Sequence, residues 1–113
     1  MDERSPKRLS GLEIEEKKVG SGAAAERGDT VTVRYTGYLN RGDVFLAETT
    51  ASIILGARRA IAGFERGVEG MKVGGIRRIR VSPHLAYREA GIPGVVPPNA
   101  VLIFEVELLA IKD

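Results

Sequence analysis

One stretch in the middle of this chain keeps a different period from everything around it. From Ala60 to Met71 the apolar residues Ile61, Phe64, Val68 and Met71 recur at i, i+3, i+7 and i+10, the stripe of an amphipathic helix. Gly63, Gly67 and Gly70 interrupt it, each costing about 1 kcal/mol relative to alanine. Such a helix is short and persists only if it is packed against something large and flat.

The flanking segments supply that surface, because their period is two. VTVRYTGYL puts Val31, Val33, Tyr35, Gly37 and Leu39 on one face and Thr32, Arg34, Thr36 and Tyr38 on the other. Asn40-Arg41-Gly42-Asp43 has turn chemistry and leads into VFLAE, which predicts a hairpin. LEIEEKKVG, with Leu12 and Ile14 on one side, predicts a first strand, the Gly20–Asp29 run a connector, and ASIILG another short strand. IRRIRV turns Ile79 and Val81 inward with Arg78 and Arg80 outward; VLIFEVELL turns Leu102, Phe104, Val106 and Leu108 inward with Glu105 and Glu107 outward. The sum is an α+β domain, a curled antiparallel sheet of about five strands wrapped around one short helix. Residues 1–8 read as a flexible tail and 9–113 as the domain, a size that supports one core.

Composition removes whole classes of function. The chain is 43% hydrophobic and 28% charged, an ordinary globule's balance. No apolar run approaches the roughly 18 residues of a membrane span. The N-terminal residues mix both charges with no apolar core of a signal, so a cytoplasmic monomer is expected. With no cysteine and the single His84, neither thiolate chemistry nor a metal cluster can be built, and no cofactor is expected. His84, after Pro83, reads as an exposed loop residue. Net charge is +2, yet residues 57–80 hold seven of the 17 Lys and Arg. Pairing of Arg78 and Arg80 with Glu105 and Glu107 across neighbouring strands is expected to account for most of that cluster. A nucleic-acid partner is the weaker reading of it, with no stacking aromatics nearby.

Polar catalytic motifs are missing as well. No Gly-x-Ser-x-Gly elbow is present, and the glycines of GVEGMKVGG close a helix, whereas a phosphate loop opens one. What remains is an apolar set from separate segments: Tyr35, Phe45, Ile61, Phe64, Tyr87 and Phe104, with Ile92, Val95 and Val96 in a Gly- and Pro-punctuated loop. Pattern alone leaves core and pocket open. Tyr87, in a loop, needs a partner for its hydroxyl if it is buried, which favours a concave site.

The ordered series VTVRYTGYL, Phe45, AIAGFERGVEGMKVGG, SPHLAY and GIPGVVPPNAVLIFEVELL resembles the FKBP-type peptidyl-prolyl cis/trans isomerases, from about Leu12 to the C-terminus. The resemblance implies that family's sheet-around-helix fold and an apolar site for proline-containing polypeptide segments, with no metal. By the same resemblance Tyr35 is the pocket tyrosine, Phe45 an aromatic wall, Ile61 a backbone N–H donor to a ligand carbonyl, and Phe64 the floor in place of the usual tryptophan. Tyr87 becomes a hydroxyl donor to a bound carbonyl and Phe104 the back wall. Leu46, Ala60, Ile92, Val95 and Val96 join the substrate-binding set.

Leu46 stands where the family typically carries an aspartate, Glu48 is the only acid expected on its face, and the segment ETTAS is shorter than the family's usual excursion there. These departures imply a lower catalytic efficiency and weakened affinity for the macrolides associated with the family. Two readings follow: an isomerase of X–Pro bonds, or a binding or chaperone-like module that grips proline segments with little turnover.

Overall fold

The computed structural model describes residues 7–9 and 11–112. Its elements are β1 (Lys7–Leu9), β2 (Leu12–Lys18), β3 (Thr30–Leu39), β4 (Val44–Ile54), α1 (Ala62–Val68), β5 (Ile76–Val81) and β6 (Leu102–Lys112). All strand pairs are antiparallel and form one six-stranded sheet in the order β1-β2-β5-β6-β3-β4. The expected tail lies outside the described residues up to residue 6. Lys7 and Arg8 belong to β1, which pairs with the start of β2.

The alternation expected of the strands is present. Val31, Val33, Ile79, Val81, Leu102, Phe104, Val106 and Leu108 are all buried, and the helix lays Phe64 and Val68 on them. The glycines that weaken α1 as a helix are what let it approach the sheet. A Cβ at Gly63 would stand 2.2 Å from Cγ1 of Val81, and one at Gly67 2.5 Å from Cδ1 of Ile79. Helix propensity is given up for a close helix–strand contact.

Three details differ from the sequence reading. VFLAE and ASIILG are not two strands but one, the eleven-residue β4. Thr49 and Thr50, read as part of a connector, are β-branched and continue the ladder. Irregularities in the β3–β4 register between Tyr35 and Gly37 and again between Gly37 and Tyr38 absorb the extra β4 residues.

Second, Arg77 points inward with Ile79 and Val81 and is only 8% exposed. Its Nη1 donates to the carbonyls of Gly67 and Glu69, both at 2.9 Å, and its Nε to the Glu16 carboxylate. The guanidinium therefore fastens the C-terminal end of α1 to β5 and β2, satisfying carbonyls that a helix end leaves unpaired.

Third, the outer-face charge pairing is shifted. Arg78 does lie opposite Glu105, but Arg80 lies opposite Ile103. An ion pair on this face joins Glu107 to Arg34 of β3 at 2.6 Å, and Glu105 accepts a long 3.5 Å hydrogen bond from Tyr38.

Candidate active site

The concave side of the sheet opens beside the N-terminal end of α1 into a hollow of about 380 Å³. Register explains why aromatic rings meet there. Phe104 stands opposite Gly37 on one neighbouring strand and opposite Ile79 on the other. Gly37 has no side chain to obstruct the turn back from the hairpin, and a Cβ there would meet the Phe45 ring at 2.7 Å. Phe45 consequently swings over Phe104, centroids 5.9 Å apart and planes at 77°. Phe64 descends from α1 onto the same ring at 5.2 Å and 81°, and Tyr35 packs on Phe64 at 4.8 Å. Edge-on geometries of this kind are the favourable ones for aromatic pairs.

Of the residues expected at the site, Tyr35, Phe45, Ile61, Phe64, Tyr87 and Phe104 line this one hollow, together with Leu46 and Ala60. Ile92, Val95 and Val96 do not. Ile92 and Val96 exchange backbone hydrogen bonds of 2.8 Å, closing their loop on itself. That turn carries Val96 into the core at 3% exposure and leaves Val95 46% exposed. Val96 is therefore a core residue and not a rim residue.

Several wall residues escaped the sequence reading: Ser52, Ile54, Arg59 and Glu65. Glu65 is buried, and its two carboxylate oxygens accept from the backbone N–H groups of Gly56 at 2.9 Å and Ala60 at 3.2 Å. It pins the loop between β4 and α1, so Ala60 and Ile61 are held at the mouth. The signal was available in principle, since Glu65 lies four residues after Ile61 and so on the edge of the helical stripe.

The polar groups of the hollow divide into engaged ones, the Glu65 carboxylate and the Ser52 hydroxyl, and unengaged donors. Among the described residues, neither the Tyr35 hydroxyl, the Tyr87 hydroxyl nor the Ile61 backbone N–H has a protein hydrogen-bond partner. Leu46 sits in the wall and does not fill the space. Glu48 is no substitute for an aspartate there. It is exposed, is absent from the wall, and its charge acts on Arg34, because the irregular register between Leu46 and Thr49 breaks simple alternation.

Burial, followed by the proximity of Tyr87, holds the Tyr35 phenol above its ordinary pKa. In the unfolded chain Tyr35 loses its proton near pH 10. Between that pH and its higher folded value the native state binds more protons than the unfolded state, so stability falls as pH rises and is fully present below. Denaturant unfolding followed from pH 8.5 to about 11 should show this decline, with a shallower slope in Tyr35→Phe. Equal slopes would place Tyr35 in a watery environment.

The comparisons with known proteins agree with this geometry. Residues 21–109 match the family model described as FKBP-type peptidyl-prolyl cis-trans isomerase. The chain is 47% identical over 109 residues to FK506-binding protein 4 of Aspergillus oryzae, covering 94% of this chain but 23% of that protein. Among solved structures, a peptidyl-prolyl cis-trans isomerase from Pseudomonas syringae pv. tomato superposes with a TM-score of 0.85 at 27% identity, covering 96% of this chain and 81% of that one. FkpA from Escherichia coli gives the same score at 35% identity, covering 97% and 53%.

A curled antiparallel sheet around a short helix is the fold this chain shares with those solved structures. The chain belongs to the FKBP-type peptidyl-prolyl cis-trans isomerase family. It spans about a quarter of the length of the curated relatives it matches. Among the described residues no helix is long and apolar enough to cross a membrane.

Proposed function

We propose that the hollow binds a proline ring with the residue before it and accelerates cis/trans rotation of the intervening bond. The observation that carries this reading is the pairing of a four-ring apolar wall with three unengaged donors, the Tyr35 and Tyr87 hydroxyls and the Ile61 N–H.

The chemistry needs little more. The peptide bond resists rotation by about 18–20 kcal/mol because of its partial double-bond character. For X–Pro both isomers are populated, and nothing covalent has to change between them. In the twisted transition state resonance is lost and the carbonyl becomes less polar, so a dry site destabilises the planar amide more than the twisted one. Each 1.36 kcal/mol of that difference is about tenfold in rate. Donors at the rim then act on the flanking carbonyls, Ile61 N–H and Tyr87 O–H fixing the ends while the central bond turns. Proline fits in the hollow against the touching rings of Phe64 and Phe104, and the partly apolar mouth at Leu46 and Ile53 favours an aliphatic or aromatic residue before it.

A protease-coupled assay tests this. Peptides with Leu-Pro or Phe-Pro should isomerise faster with protein than without, and faster than a Glu-Pro peptide. No acceleration of any of them at micromolar protein would overturn the reading.

The alternative, a module that holds proline segments with little turnover, is favoured by Leu46. With leucine in place of the family's aspartate, the Tyr87 hydroxyl lacks one polar neighbour in the site. Leu46→Asp should raise kcat/KM by about tenfold if the native site is tuned for holding. An unchanged or lower rate would favour the enzyme as it stands. The same missing carboxylate predicts weakened macrolide binding. Action as a cytoplasmic monomer on flexible chains belongs to this reading.

A further inference from the structure

The two borders of the sheet are unlike. The β1 border is a strand of only three residues, and a very short edge strand offers little to a foreign one. The β4 border has one charge, Glu48, in eleven residues and no proline or lysine. Its first half is protected by the register irregularities opposite Gly37. Its second half, Thr49–Ile54, runs in unbroken register with Thr30–Tyr35, and among the described residues it pairs with β3 alone. The sequence there, TTASII, is uncharged and β-prone, and Thr50, Ser52 and Ile54 are exposed. An unguarded edge of this kind is a template for another strand.

The hollow reaches that edge. Ser52, Ile53 and Ile54 all border it, although side chains alternate between faces along a strand. Three consecutive residues can share one space only where it meets the strand's backbone border. A chain leaving the hollow on this side thus meets the unpaired backbone border of β4, except at Ile54, whose carbonyl already accepts from the Ala57 N–H at 3.2 Å.

We propose that the edge of β4 from Thr49 to Ile54 extends the substrate site, the polypeptide flanking the bound proline adding to the sheet as a seventh strand. The inference rests on the hollow being a proline site. Proline itself lacks an N–H and stays in the hollow, while the residues beyond it pair. The substrate class so defined is an extended, uncharged, β-prone segment on one side of the proline, as displayed by unfolded chains and not by helices.

The test compares Ala-Leu-Pro-Phe with the same core extended by a Thr/Val-rich tail on its N-terminal or its C-terminal side, each long enough to span Thr49–Ile54. Turnover of the short peptide reports on the proline site alone, so failure of that reading is seen separately. With one of the two tails KM should drop roughly tenfold, the worth of one to two net hydrogen bonds, with kcat unchanged. N-methylation of one alternating set of tail nitrogens should abolish the gain and methylation of the other set should leave it. Backbone amide exchange in Thr49–Ile54 should slow when the long peptide is bound. Equal KM values for short and long peptides, or a gain that survives both methylated sets, would overturn the proposal. So would protein self-association that protects these amides without peptide, because a second copy would then be the occupant.

Discussion

Arg77→Ala should lower the unfolding free energy by about 3–5 kcal/mol, the cost of breaking a buried ion pair by removing one partner. The change leaves the Glu16 carboxylate without its cation and two carbonyls at the end of α1 without a donor. Arg77→Lys should recover only part of the loss, since a single ammonium cannot serve three acceptors in a fixed fork. Urea unfolding of the variants measures both. A loss below about 1 kcal/mol for Arg77→Ala would mean that water replaces the guanidinium and that α1 is held by its apolar contacts alone.

Phe104→Ala combines a stability effect with a functional one. The ring is 4% exposed and touches Phe45, Phe64 and Tyr35, so its removal costs about 3–5 kcal/mol and opens the back of the hollow. Isomerase kcat/KM, corrected for the folded fraction, should fall by more than about tenfold, as the wall that keeps the planar amide dry is lost. Phe104→Leu separates the two effects. It keeps apolar volume and should cost about 1.5 kcal/mol or less, yet it lacks the flat face the proline ring packs on. Normal activity in Phe104→Ala would place the reacting bond elsewhere.

How far the sequence alone reached depends on what each residue's neighbours do. Period two in VTVRYTGYL and VLIFEVELL and the helical stripe from Ile61 to Met71 were sufficient for the sheet, the helix and the inward faces, because burial acts through that periodicity. The meeting of Tyr35, Phe45, Phe64 and Phe104 was not visible in any period. It depends on register, with Phe104 opposite Gly37, and the expectation came from resemblance. Arg77 shares parity with Ile79 and Val81, so its inward direction was legible, but its partners come from β2 and α1 and lie far away in sequence. The continuity of β4 was hidden because irregular pairing shifts alternation between Val44 and Thr49. Val96 looked like a rim residue until the Ile92–Val96 closure turned it inward.

The central claim is that rotation is accelerated by a dehydrated aromatic hollow with no proton transferred. Exchange NMR of a Leu-Pro peptide with catalytic amounts of protein measures it most directly, recorded between pH 5.5 and 8.5 in light and heavy water. The account predicts cis/trans exchange well above the uncatalysed rate, flat across that range and nearly insensitive to deuterium. Exchange no faster than in buffer, or a bell-shaped pH profile with a large solvent isotope effect, would contradict it.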